Sequence, residues 1–480
     1  MTDVSFLFLM LPLALMICAF LCLIMPALQK YVLIVFSLVF YACGSPRYMC
    51  LFVMLMLISV ALAYVIGAFA GKGRKRAALP FLVCGILLNV SLLFYYKYYD
   101  FSAQTVNRVL GTNIGLKNLL LPLGISFFAF KAISLLVDVY RGTVVLKKDP
   151  TYAVLYLCFF GQVISGPITR YNEFYENYEL VKERKSIVKR YTDGAYHFMR
   201  GYCKKILIAN ILSAMASSVF GTDLSRSSAG LLWLGSIAYS LQLYYDFSGY
   251  SDMAIGVGNM FGIHSKENFN YPYCTKTVSE FWRRWHMSLG SWFRDYIYFP
   301  LGGSRVNSRA RLYFNLLAVW ILTGIWHGAS MNFIVWGLGY FVVIALEKTF
   351  EVQSRIKGAV AETIYRILCL IFINFEWVLF NSPGVTSGLR YIKHMLIGSG
   401  NELAAGRCVV LLQEYGIVLA AAVLFAIPVI PKLKEYLYQK NKTAYAIANI
   451  VLAGALAALF AAAISFVMAG QNNPFLYGNF

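Results

Sequence analysis

The sequence predicts an all-α protein that crosses a membrane many times, and three observations carry that prediction. The chain of 480 residues is 59% hydrophobic and only 13% charged, with a mean hydropathy of +0.64, more apolar surface than a soluble domain buries. Its apolar residues fall in long uncharged runs, many of them near the ~17–25 residues a helix needs to span ~30 Å of hydrocarbon. Its charges collect between those runs. The formal net charge of +20 is what basic cytoplasmic loops give a membrane protein, so no nucleic-acid partner is inferred from it. The ten cysteines are scattered, mostly within apolar runs (Cys18, Cys22, Cys84, Cys158, Cys369), and no C-x-x-C occurs. They read as small apolar helix residues, not as disulfides or metal ligands.

The first expected spans are Ser5–Met25, Tyr31–Cys43, Met49–Ala70, Ala77–Tyr96 and Leu119–Val139. Ser5–Met25 is too long for the apolar part of a signal peptide and lacks a basic region before it, so it reads as a retained span. Lys72, Arg74, Lys75 and Arg76, between the third and fourth spans, set the orientation: positive loops stay inside. Counting from that loop puts Lys30, Arg141, Lys147 and Lys148 inside and the N-terminus outside. Tyr152–Ile164 is apolar but too short to span and is closed by Gly166-Pro167, which suggests a re-entrant segment. Residues 170–190 carry Arg170, Lys182, Glu183, Arg184, Lys185, Lys189 and Arg190 and read as a cytoplasmic surface helix. Spans resume at Ile206–Phe220, Leu231–Tyr245, Phe333–Leu346, Thr363–Phe380, Val409–Ile430 and Ala444–Met468, and the amphipathic Ser387–Leu396 is expected at the outer interface. Lys432, Lys434, Lys440 and Lys442 place the last loop inside and the C-terminus outside.

One run stands apart. Leu312–Trp326 carries no charge, but about 15 residues make only ~22 Å of helix, short of the ~30 Å hydrocarbon core. His327 therefore lies at membrane depth, where an ionisable side chain faces a wet cavity and usually has a function.

Between Asp246 and His327 polar, aromatic and glycine residues crowd together. Thr277 and Glu280 have the spacing of a capping box, so a helix starts near Val278. At 100° per residue Phe281, Trp282, Trp285, Leu289, Trp292, Phe293 and Tyr296 share one wide face. Arg283 and Arg294 fall opposite, and His286 lies at the edge of the aromatic face. Such a helix belongs at the membrane surface, with its arginines toward water. The arginines suit either phospholipid headgroups or a vestibule for an anionic donor, formed by Arg283, Arg284, Arg294 and Arg305. Asp246, Asp252 and Asn270 read as a structural polar core, with the two aspartates holding a broken helix together. Other templates fail: there is no G-x-S-x-G, no Walker loop and no H-E-x-x-H. Gly256, Gly258 and Gly262 miss the dinucleotide spacing and suggest helix packing.

The runs DFSGYSDMAIG (246–256), NFNYP (268–272), FWRRWHMSL (281–289) continued by WFRDYIYFPLGG (292–303), and GIWHGA (324–329) resemble the membrane-bound O-acyltransferases, in particular their bacterial alginate O-acetyltransferase branch. The resemblance covers roughly residues 120–380. It implies a single membrane-embedded domain over 1–480, with N-terminal helices in 1–118, a catalytic core in 119–380 and C-terminal helices in 381–480. The implied fold is a ring of about 11 or more transmembrane helices, with re-entrant and interfacial helices, around a thinned, funnel-shaped centre. It also implies that His327 is catalytic and His286 the second histidine involved. The implied donor is acetyl-CoA or an acyl-carrier thioester, with no bound cofactor and no metal. The implied partners are membrane lipids, an extracytoplasmic acyltransferase and polysaccharide-export proteins, at a bacterial plasma membrane. Two features depart from the family: Asn381 stands where an arginine follows Trp377–Phe380, and the tail Asn473–Phe480 has glycine and asparagine near its end. The expected reaction is O-acetylation of an exported or cell-wall polysaccharide. D-alanyl transfer to teichoic acids is the alternative within the family, and a transporter or acyl-carrier channel the alternative outside it.

Overall fold

The computed structural model describes residues 1–179, 184–398 and 402–470. Among these all regular structure is helical, and nine helices are long and apolar enough to cross a membrane, from Phe6–Ile24 to Lys442–Met468. The protein is thus an all-α, multi-pass membrane protein, as its composition requires. The tail Asn473–Phe480 and residues 180–183 of the charged segment lie outside the described residues.

The chain clusters into two compact units. The first comprises Met1–Met199 and Tyr250–Glu267. It begins with α1 (Leu11–Ile24, entered by a π-helical turn over Phe6–Met10), α2 (Gln29–Gly44), α3 (Met49–Ala70) and α4 (Lys75–Lys97). Pro26 and Pro46 each open a short 3-10 turn between these helices, where a missing N–H costs nothing. The amphipathic α5 (Tyr99–Leu110) follows, then α6 (Ile125–Arg141), at 17 residues shorter than the expected span and buried on nearly every side.

The expected re-entrant segment contains α7 (Thr151–Cys158) and a buried turn after it. Its backbone is satisfied by protein, as a non-helical segment away from water demands: the amides of Gln162 and Val163 donate to the Phe159 carbonyl, and that of Phe160 to Ser37 Oγ at 3.1 Å. An ion pair between buried Lys30 and Asp149 ties α2 to the start of α7, with the ammonium 4.4 Å from the Tyr152 ring. The charged segment folds as α8 (Tyr171–Glu179) and α9 (Arg184–Cys203). A Cβ on Gly256 would stand 2.6 Å from the Gly194 carbonyl oxygen, so this glycine is indeed a helix-packing residue.

The second unit comprises Arg200–Gly249 and, among the described residues, 268–398 and 402–470. A π-helical turn over Lys204–Ala209 leads into α10 (Asn210–Phe220). Next comes α11 (Ala229–Met260), a continuous helix of 32 residues. Here the structure corrects the sequence reading: the helix is not broken at Asp246 and Asp252. Asp246 instead forms a buried ion pair with Lys205 of the π-helical turn, so a neighbouring helix meets the carboxylate.

The remainder is α12 (Val278–Arg284), α13 (Met287–Phe293), α14 (Arg309–His327), α15 (Met331–Thr349), α16 (Val352–Arg355), α17 (Ala359–Asn381), α18 (Val385–Ile397), α19 (Glu402–Phe425), α20 (Val429–Lys440) and α21 (Lys442–Met468). α14 and α15 form a tight hairpin. A Cβ on Gly324 would lie 2.5 Å from the Phe333 carbonyl oxygen, and one on Gly337 2.5 Å from that of Trp320, so bare glycines let the two backbones approach.

Candidate active site

His327 is the last residue of α14. The helix ends there because Gly328 is extended and a Cβ on it would overlap the Phe333 ring. The imidazole is only 2% exposed. It stands edge-on to three rings: Trp326 at 4.7 Å, Trp336 of α15 at 4.8 Å and Phe380 of α17 at 5.1 Å. Asn332 fixes the third wall by donating to the carbonyls of Leu379 (3.2 Å) and Ser382 (2.9 Å), which flank Phe380.

The RWH segment departs from its expected form. Thr277 caps α12 as the spacing requires, its Oγ1 accepting from the Glu280 amide at 3.1 Å. Glu347 of α15 adds a second cap, accepting from the amides of Val278 (2.7 Å) and Ser279 (2.8 Å), where a carboxylate suits a helix N-terminus. The helix then stops. Trp285 is extended and His286 left-handed, with φ 43° and ψ 53°, a conformation that costs a non-glycine residue energy and is held only by its surroundings. A single amphipathic helix over this stretch was expected; there are two short ones. The break turns His286 inward, where a single surface helix would leave it at the edge of the aromatic face. It is 2% exposed and packs on Phe247 at 4.6 Å and Trp326 at 6.3 Å. Both histidines therefore contact the Trp326 indole.

Asn268 holds this turn. Its side-chain oxygen accepts from the Ser288 amide at 3.0 Å and lies 3.2 Å from His286 Nδ1, while its carbonyl accepts from the Met287 amide at 2.9 Å. With an oxygen as partner, Nδ1 carries the ring proton and Nε2 the lone pair. This corrects another expectation: Asn270, assigned to the polar core, is exposed, and the buried asparagine is Asn268. Burial pushes the His286 pKa down from 6.5 to about 3. The unfolded chain therefore binds a proton between those values that the folded one does not, and stability falls as pH drops through that window. Thermal melts at pH 7 and pH 4.5 check this: the acid-induced loss should be smaller in His286→Asn than in the parent protein.

Arg283, Arg294 and Arg305 are exposed and Arg284 is half-buried. Arg284 pairs with Glu280 at 2.6 Å and Arg294 with Asp295 at 2.9 Å. The polar-core aspartates Asp246 and Asp252 are both buried. Among the described residues no group of three or more His, Cys, Asp or Glu side chains is placed to hold a metal ion, and the ten cysteines are free thiols. Sequence reasoning missed Asn268, Trp326, Trp336, Phe380 and Glu347.

Chemically, the arrangement offers two neighbouring imidazoles in a dry aromatic setting, where a positioned base or nucleophile acts without competition from bulk water. Fold and site together define a multi-pass membrane protein with a histidine-centred interior. Residues 149–390 match the profile described as MBOAT, membrane-bound O-acyltransferase family. The probable alginate O-acetylase AlgI of Pseudomonas aeruginosa is 35% identical over 372 residues, 76% of this chain and 69% of that protein. The peptidoglycan O-acetyltransferase of Helicobacter pylori is 33% identical over 405 residues, 79% and 76% of the two chains. The teichoic acid D-alanyltransferase of Bacillus subtilis is 29% identical over 344 residues, 69% and 82%. The chain belongs to the membrane-bound O-acyltransferase family and is an acyltransferase.

Proposed function

We propose that this enzyme takes an acetyl group from a cytoplasmic thioester and passes it across the membrane for O-acetylation of an exported or cell-wall polysaccharide. The observation that carries the reading is the pair of buried histidines sharing Trp326 in a chain whose relatives are named as alginate and peptidoglycan acetylating enzymes. His327 acts as general base on a hydroxyl, or carries the acyl group covalently, and His286 assists from the cytoplasmic side. Arg283, Arg284, Arg294 and Arg305 form a basic surface for the phosphates of acetyl-CoA or of an acyl-carrier arm. Asp246 and Asp252 serve structure. An extracytoplasmic acyltransferase and polysaccharide-export proteins are the expected partners.

The test is purified protein in liposomes, with labelled acetyl-CoA inside and polysaccharide plus an extracytoplasmic acyltransferase outside. Label in the outer acceptor is the expected result. The D-alanyltransferase relative supports a second reading, so a D-alanyl-carrier thioester is offered in parallel. Transfer from that donor alone would replace the acetyl reading, and release of intact donor without transfer would favour a channel. The protein is proposed to sit in a bacterial plasma membrane with both termini outside and Lys72–Arg76 inside, from the loop charges. A membrane-impermeant thiol reagent on intact cells should label a cysteine introduced at position 2 and not one at position 74; the opposite pattern reverses the topology.

A further inference from the structure

Glu376 lies within α17, a helix long and apolar enough to cross a membrane, yet its carboxyl is 5% exposed. Its Oε2 has no hydrogen-bond partner among the described residues. A buried carboxyl without a cation beside it is costly and marks a functional position by default. The surrounding chain is shaped to admit it. The carboxyl group lies against Gly339 of α15, where any Cβ would overlap Oε1.

Its place relative to His327 follows from helix geometry. Trp336 and Phe380 flank the imidazole. One turn along α15 from Trp336 comes Tyr340, and one turn back along α17 from Phe380 comes Glu376, so the carboxyl stands about one helical turn, ~5–6 Å, from the layer that holds the histidine. Tyr340, whose hydroxyl likewise has no partner among the described residues, is within electrostatic reach of Glu376. Its ring meets Trp282 of α12 at 4.9 Å.

On the reading that His327 activates the acceptor hydroxyl and the donor is a thioester, we propose that Glu376 is the general acid that protonates the departing thiolate. The balance closes within the site. The hydroxyl proton goes to His327, the O–C bond forms and the C–S bond breaks. The Glu376 proton then passes to sulfur, and the imidazolium returns a proton to the carboxylate. In water an alkyl thiolate leaves without help, but in a dry, low-dielectric interior a naked anion is expensive, and an acid placed there lowers that cost.

The experiment compares two acetyl donors on the reconstituted enzyme, an alkyl thioester such as acetyl-CoA and an aryl thioester whose thiolate needs no proton. Glu376→Gln keeps the shape of the side chain. It should lower kcat for the alkyl donor about 100-fold and for the aryl donor no more than a few-fold, with Glu376→Asp between the variant and the parent. Gly339→Ala keeps the acid but displaces it, and should give the same unequal loss; it carries the test if Glu376→Gln does not fold. Equal loss with both donors would overturn the assignment. His327→Ala serves as the separate arm. If it transfers normally, the reading beneath the proposal is wrong. If it is inactive with both donors while Glu376→Gln loses both equally, only the role of Glu376 falls.

Discussion

His327→Ala should be inserted and extracted at the parent's yield and should transfer acyl groups at least ~10²-fold more slowly, within the ~10²–10⁴-fold that a positioned base contributes. The protein should remain folded because the imidazole is held by ring contacts to Trp326, Trp336 and Phe380. Each such contact is worth about 0.5–1.5 kcal/mol beyond area burial, and two of the three rings still pack on each other, Trp336 and Phe380 at 5.5 Å. Single-turnover transfer from a labelled thioester, with the protein amount set by absorbance, gives the number. Full transfer would remove His327 from the chemistry. His286→Ala should also slow transfer, and its buried left-handed turn means that a loss of fold has to be measured beside the loss of rate.

The largest effect on stability is expected away from the histidines, at Asp246. Its carboxylate is 1% exposed and pairs with Lys205, itself 3% exposed. Removing one member of a buried pair leaves the other charged and buried, at a cost of about 3–5 kcal/mol. Asp246→Ala should therefore melt well below the parent in detergent. The double variant Asp246→Ala, Lys205→Met should recover most of the loss, because an apolar pair replaces the ionic one without an orphaned charge. Recovery of activity along with stability would assign the aspartate to structure. Restored stability without activity would move it into the reaction.

Much of this was legible in the residues. The uncharged runs located the long helices, the Thr277–Glu280 spacing located the start of α12, and the uncharged approach to His327 located the end of α14. What escaped was decided by tertiary contacts. The 3.6-residue period runs through Trp285 and His286 without a glycine or proline to mark a stop, and only the hold of Asn268 on the next turn reveals the left-handed residue. Asn268 and Asn270 sit two apart in one segment of similar composition. Pairing with residues 284–288 buries the first and leaves the second in solvent. The continuity of α11 was hidden because two aspartates and three glycines look like a break until Lys205 and Gly194 are seen to meet them. Glu376 did leave a trace, as a lone carboxylate in an apolar run, and the same rule that singled out His327 applies to it.

The tight α14–α15 hairpin also bears on how the protein is made. Trp326 and Trp336 belong, with His327 itself, to the single stretch Arg309–Thr349, closed on itself by Gly324 and Gly337. If that stretch enters the bilayer as one helical hairpin, the histidine comes with two of its three aromatic walls, which lie in the same hairpin. Phe380 is synthesised later, and the niche stays open on that side until α17 docks. The last wall, and Glu376 with it, is therefore the part of the niche that the chain supplies latest.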